Sequence, residues 1–153
     1  MSKALHLAIA AAAALSCSAV LADTMDMTVN AKVNGTCRMV TAPTVDFGTL
    51  NQVTAADITL GAVQVQYKCT KGLSPTAFTI GGAAAPSYSG TVSNGTDTIP
   101  YTLTWSAAQV TAGLGMATGK EISVDVVGKM TGTDYQDAPA GTYTAAVTIE
   151  ITP

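Results

Sequence analysis

Histidine is nearly missing from this chain, and the single one, His6, falls within the first ten residues. Arrangements that pass a proton through imidazole, Ser-His-Asp or Cys-His, have nothing to be built from beyond that point. Cysteine is scarce as well: Cys17, Cys37 and Cys69. Two or three thiols without histidine fall short of a tetrahedral zinc set. Charged residues make up only 11% of the chain, with 7 Lys and Arg against 10 Asp and Glu. No basic cluster exists to neutralise phosphates, which excludes a nucleic-acid partner. Trp, Tyr and Phe together number eight and form no girdles, unlike the strands of a membrane barrel. The stretch GGAAAP (81–86) lacks the lysine and the following helix of a phosphate-binding loop. No cofactor and no metal is expected.

The first 22 residues read as a signal peptide. Lys3 supplies a positive start, Ala4–Leu15 an apolar stretch, and Val20-Leu21-Ala22 a small-residue site that places cleavage between Ala22 and Asp23. The apolar stretch is shorter than the roughly 20 residues a spanning helix needs, and no second one follows, so no transmembrane segment is expected. A lipid anchor on Cys17 is disfavoured by Ala14 three residues before it, where leucine belongs. Export implies an oxidising compartment, in which the two remaining cysteines, Cys37 and Cys69, are expected to pair. The bond closes a loop of about 33 residues and stabilises the fold by roughly 3–4 kcal/mol in the chain-entropy account. Residues 23–153 suffice for one domain, which buries about two-thirds of its unfolded surface.

What is present is mostly strand and turn. Cys37–Val40 and Thr44–Leu50 are short extended pieces broken at Pro43; Ile58–Cys69 is longer, with Val63, Val65, Tyr67 and Cys69 on one face. Thr76–Ile80, Ile99–Trp105 and Ile122–Val126 follow, and Tyr143–Ile151 alternates most cleanly, with Tyr143, Ala145, Val147, Ile149 and Ile151 on one side. Between them, KGLSP, GGAAAPSYSG, SNGTD and TGTDYQDAPAG read as breaks. Near the front, Met25, Met27, Val29, Ala31 and Val33 are apolar at every second position, which is again the pattern of a strand with one buried face. Several strands with one apolar face each describe an all-β sandwich. Trp105 follows both cysteines, so the Cys–Trp–Cys order of antibody domains is missing, and the disulfide joins the first core strand to the second. Asp57, Asp97, Asp134 and Asp137 read as turn residues, and Asp26, Asp125 and Glu150 as exposed strand positions, so an enzyme is not expected.

The alternating front strand, NGTCRMVTAPTVDFGTL (34–50) with Phe47-Gly48 ten residues after Cys37, the second cysteine in VQVQYKC, and the closing GTYTAAVTIEITP resemble the spore coat protein U domain family, which includes subunits of archaic chaperone–usher pili. The resemblance covers essentially the whole chain after residue 22. It implies an immunoglobulin-like β-sandwich lacking its last strand, with residues 23–34 as an N-terminal donor strand and 35–153 as the pilin-type domain. Met25, Met27, Val29, Ala31 and Val33 would fill the core of a neighbouring subunit. Tyr143, Ala145, Val147, Ile149 and Ile151 would line the acceptor groove, as the chain stops at Pro153 with no further strand to cover them. Implied partners are a periplasmic pilus chaperone, an outer-membrane usher and neighbouring subunits. The place is the periplasm in transit and then a cell-surface pilus, serving surface attachment and biofilm formation. The competing expectation is a self-contained, monomeric secreted sandwich with a binding, adhesive or spore-coat role.

Overall fold

The structure, a computed structural model, describes residues 24–41, 43–106 and 111–153. The signal peptide and the Ala22–Asp23 cleavage point lie outside the described residues. Residues 33–153 form one compact unit, and the segment before them belongs to another.

Among the described residues, the compact unit contains eight strands and one turn of helix: β1 (Cys37–Thr41), β2 (Ile58–Thr59), β3 (Val63–Cys69), β4 (Ala77–Ile80), β5 (Ser87–Ser93), β6 (Thr98–Trp105), β7 (Ile122–Met130), α1 (Gly132–Tyr135) and β8 (Ile149–Thr152). All pairs are antiparallel. One sheet runs β1-β3-β7-β6-β5, with β2 also on β7; the other consists of β4 and β8. Taken in order across the sheet, β1, β3, β7 and β6 occupy the places of strands A, B, E and D of an immunoglobulin sandwich, and β4 and β8 those of C and F. The fold is thus an all-β, immunoglobulin-like sandwich. A further mark of that class is Tyr143, whose hydroxyl donates to the Pro139 carbonyl at 2.9 Å, the corner that sets the entry into strand F.

Alternation explains the layers. Along β7, Ile122, Val124, Val126 and Met130 are buried while Ser123, Asp125 and Lys129 are exposed; along β6, Ile99, Tyr101, Leu103 and Trp105 point inward. The two sheets meet where Phe78 of β4 packs edge-on against Trp105 of β6 and beside Tyr67 of β3. The Cys37–Cys69 disulfide joins directly paired residues of β1 and β3, with Cα atoms 4.1 Å apart.

Four expectations from the sequence need correction. The run from Ile58 to Cys69 is two strands, because Leu60–Ala62 leave the regular ladder even though the Leu60 N–H still reaches the Gly128 carbonyl. The break GGAAAPSYSG conceals β5, which pairs with β6 along its whole length. Its alternation is hard to see because Gly90 stands at an inward position: a Cβ there would lie 2.8 Å from the Tyr88 ring and 2.9 Å from the Tyr101 hydroxyl. The break TGTDYQDAPAG contains α1, with Tyr135 buried. Finally, the strand expected over 143–151 forms regular structure only at β8. Before it, Thr144 makes an isolated bridge to Ser93, and Ala145, Ala146 and Val147 make no backbone hydrogen bond to another described residue.

Candidate functional site

An apolar groove of about 900 Å³ opens the sandwich along one side. Its floor is core: Val65, Leu103, Val126, Met130, Ile99 and Tyr101. One bank is the segment running into β8, where Tyr143, Thr144, Ala145, Val147 and Ile149 line the groove; Tyr143, Val147 and Ile149 are half-buried while Thr144, Ala145, Thr148 and Glu150 are exposed. Ile151 does not line the groove; it lies opposite Phe78 in the β4–β8 ladder. The other bank is 43–50, where Pro43, Val45 and Phe47 are half-buried and Thr44, Asp46 and Gly48 exposed.

Both banks follow a strand-like alternation, interrupted at exposed Ala145, and both leave part of their main chain unpaired. Residues 43–50 make no backbone–backbone hydrogen bond to any described residue, nor do 145–147. The second sheet holds β4 and β8 alone, so the far edge of β8, where strand G of a complete sandwich would lie, is unpaired among the described residues. An apolar edge of this kind invites another strand. At about 3.3 Å per residue, the bank from Tyr143 to Ile149 offers roughly 20 Å of edge.

The groove's electrostatics match its shape. Asp46 is the sole charged residue on its lining among the described residues, and that carboxylate accepts the Gly48 N–H at 2.8 Å. Burial, then the adjacent Tyr88 phenol, pushes the Tyr101 hydroxyl above its ordinary range, and partial burial, then the Asp97 charge, does the same at Tyr143. Both phenols therefore stay neutral at physiological pH. Among the described residues, no three His, Cys, Asp or Glu side chains gather as a metal site, and no helix is long and apolar enough to cross a membrane. Such a groove offers apolar contact and unpaired main-chain groups.

Several residues that shape the groove carry no obvious signal in the sequence. Gly128 interrupts the inward row of β7, and a Cβ there would come within 2.9 Å of Val45 and 3.1 Å of Phe47. Its missing side chain lets the 43–50 bank settle over the sheet, where Phe47 meets Tyr101 with ring centroids 6.1 Å apart. Gln52 braces the same end by donating to the carbonyls of Tyr135 and Ala138, and the Tyr135 hydroxyl donates to the Ala56 carbonyl at 2.6 Å.

In the N-terminal unit, residues 24–32 carry no regular secondary structure, and Met25, Met27, Val29 and Ala31 are exposed. Val33, at the start of the compact unit, is exposed too. The apolar alternation read from the sequence is therefore a row of exposed apolar side chains.

The Spore Coat Protein U domain model matches residues 23–150. The chain belongs to this family. It is a family of structural pilus and coat domains, and the match spans both the exposed N-terminal row and the grooved sandwich. No curated protein and no solved structure was found to match the chain.

Proposed function

We propose that the protein is a structural subunit of an archaic chaperone–usher pilus, assembled by strand donation. Residues 25–33 of one copy enter the groove of the next, with Met25, Met27, Val29, Ala31 and Val33 facing its floor. The main chain pairs with the open banks at 43–50 and 143–149. A periplasmic chaperone lends its own strand to the same groove during transit, and an outer-membrane usher exchanges it for the neighbour's. The finished fibre serves surface attachment and biofilm formation.

The groove carries this reading: an apolar trough through the core, flanked by two strand-like banks whose main chain is unpaired over 43–50 and 145–147 among the described residues. Strand addition satisfies both needs at once, main-chain bonds giving affinity and alternate side-chain pockets giving specificity. The five apolar residues at alternate positions supply a strand of the matching kind.

Val29→Asp tests it, because the substitution places a carboxylate in an apolar trough at a cost of several kcal/mol. The variant, co-expressed with its chaperone, is expected to fold and to make few or no fibres by electron microscopy. Asn30→Asp, one step along and facing the other way, is expected to assemble like wild type. A chain lacking residues 23–33 is expected to stop polymerising, and a peptide of those residues added in trans is expected to cap the free groove. Equal fibres from Val29→Asp and wild type would sink the mechanism. A Val29→Asp chain that melts earlier as an isolated monomer points instead to a self-contained sandwich.

A further inference from the structure

Besides Met1, the chain carries five methionines, and their exposure sorts them sharply. Met25 is 93% exposed and Met27 84%, Met116 is 42% exposed, Met39 is half-buried, and Met130 is only 2% exposed. The two most accessible thioethers are thus the leading residues of the apolar row.

We propose that Met25 and Met27 form an oxidation site that switches the chain off as a strand donor. The inference rests on the reading of residues 25–33 as the donated strand. The oxidant is of the peroxide class. A thioether lone pair attacks a peroxide oxygen, the S–O bond forms, the O–O bond breaks and water leaves. Sulfur loses two electrons and the peroxide gains them.

The product no longer suits the groove. A sulfoxide is polar and needs a hydrogen-bond donor when buried. The phenol and amide side chains nearest the floor are already committed: Tyr101 to Tyr88, Tyr135 to the Ala56 carbonyl, Tyr143 to the Pro139 carbonyl, Gln52 to the carbonyls of Tyr135 and Ala138, and the open main-chain N–H groups of the banks are taken by the main chain of the donated strand. Asp46, the lone charge on the lining among the described residues, is an acceptor like the sulfoxide itself. Oxidation before assembly therefore blocks donation, whereas methionines already seated in a neighbour's groove are shielded. New growth stops under oxidant while existing fibres survive.

The test treats the full exported chain with hydrogen peroxide before and after polymerisation, with sulfoxide at each methionine read by peptide mass spectrometry. Before assembly, Met25 and Met27 are expected to oxidise at least about tenfold faster than Met130, and fibre yield to fall roughly tenfold or more per sulfoxide. Methionine sulfoxide reductases restore the yield. For the Met25→Leu/Met27→Leu variant, whatever its own fibre yield, the ratio of yield with peroxide to yield without is expected to stay near that of an untreated sample, while wild type falls. In finished fibres both sites are expected to be protected. Undiminished assembly of chains bearing both sulfoxides overturns the proposal, as does a leucine variant as sensitive as wild type. If Val29→Asp makes no fibres in the same experiment, such a result strikes the oxidation site alone. Fibres from Val29→Asp overturn strand donation and the oxidation site with it.

Discussion

The two ends of the sandwich are built from the same kinds of residue and finish in opposite states. At the disulfide end, Val65, Tyr67, Cys69, Ile122, Val124, Phe78 and Trp105 are all buried, both sheets contribute, and the strands are laddered. At the grooved end, Val45, Phe47, Tyr143, Val147 and Ile149 are just as apolar but only half-buried, and much of their main chain is unpaired. Hydrophobicity alone does not separate the two. The difference lies in whether a neighbouring strand is there to cover the side chains. A closed end with its own core can hold the fold while the other end stays open, as the proposed assembly requires.

If that division is right, substitutions at the closed end should cost stability and those at the open end should cost assembly. The largest effect is expected at Phe78, which packs against Trp105 and Tyr67. Phe78→Ala is expected to destabilise the chaperone-free subunit by about 3–5 kcal/mol in urea unfolding. Next comes the disulfide, whose ends are 32 residues apart. Cys37→Ser with Cys69→Ser is expected to lower stability by about 3–4 kcal/mol, seen as an earlier midpoint that reduction of the wild type reproduces. A double mutant as stable as oxidised wild type would break the picture of a pinned, closed end.

Val147 supplies the contrast. Val147→Ala trims a half-buried side chain on the groove bank, so the isolated subunit is expected to lose less than about 1 kcal/mol. Fibre growth, followed by light scattering, should fall by more than that loss explains, because in the proposed assembly a donated strand covers the valine fully. Equal losses in stability and in assembly would erase the distinction between the two ends.

The smallest expected effect is electrostatic and belongs to the closed end. Lys68 is buried on the outer side of β3, and its ammonium pairs with the Glu121 carboxylate at 2.7 Å. The hydrogen bond from Lys68 holds the Glu121 carboxyl below its ordinary value near 4.5. A lowered folded value means that this stabilisation is complete above the ordinary value and is lost as pH falls through the lowered one. Thermal melts of wild type and Glu121→Gln are thus expected to differ at pH 7 and to draw together in acid as the pH falls below the ordinary value near 4.5. A gap that stays constant across that range would remove the ion pair from the account.

Much of this was legible in the residues. Period-two alternation marked β3, β6 and β7, because an inward apolar side chain must recur at every second position whatever the strand pairs with. The cysteine pair was legible because only Cys37 and Cys69 remain beyond residue 22. β5 was not legible, since Gly90 stands where an inward apolar side chain would otherwise signal a strand. Nor was the second bank of the groove: Val45 and Phe47 alternate correctly, but their seat depends on Gly128, some 80 residues further along the chain. The same limit applies to 143–148, whose pattern is that of a strand although no ladder forms there.

The sequence by itself determined which faces are apolar, where the chain turns, and that two thiols are placed to pair. Side-chain chemistry and local backbone preference decide those properties, and both are local. Only the tertiary structure decided which apolar faces are covered. Covering a strand takes main-chain groups and side chains from a distant segment, and at the grooved end no described segment of the compact unit supplies them.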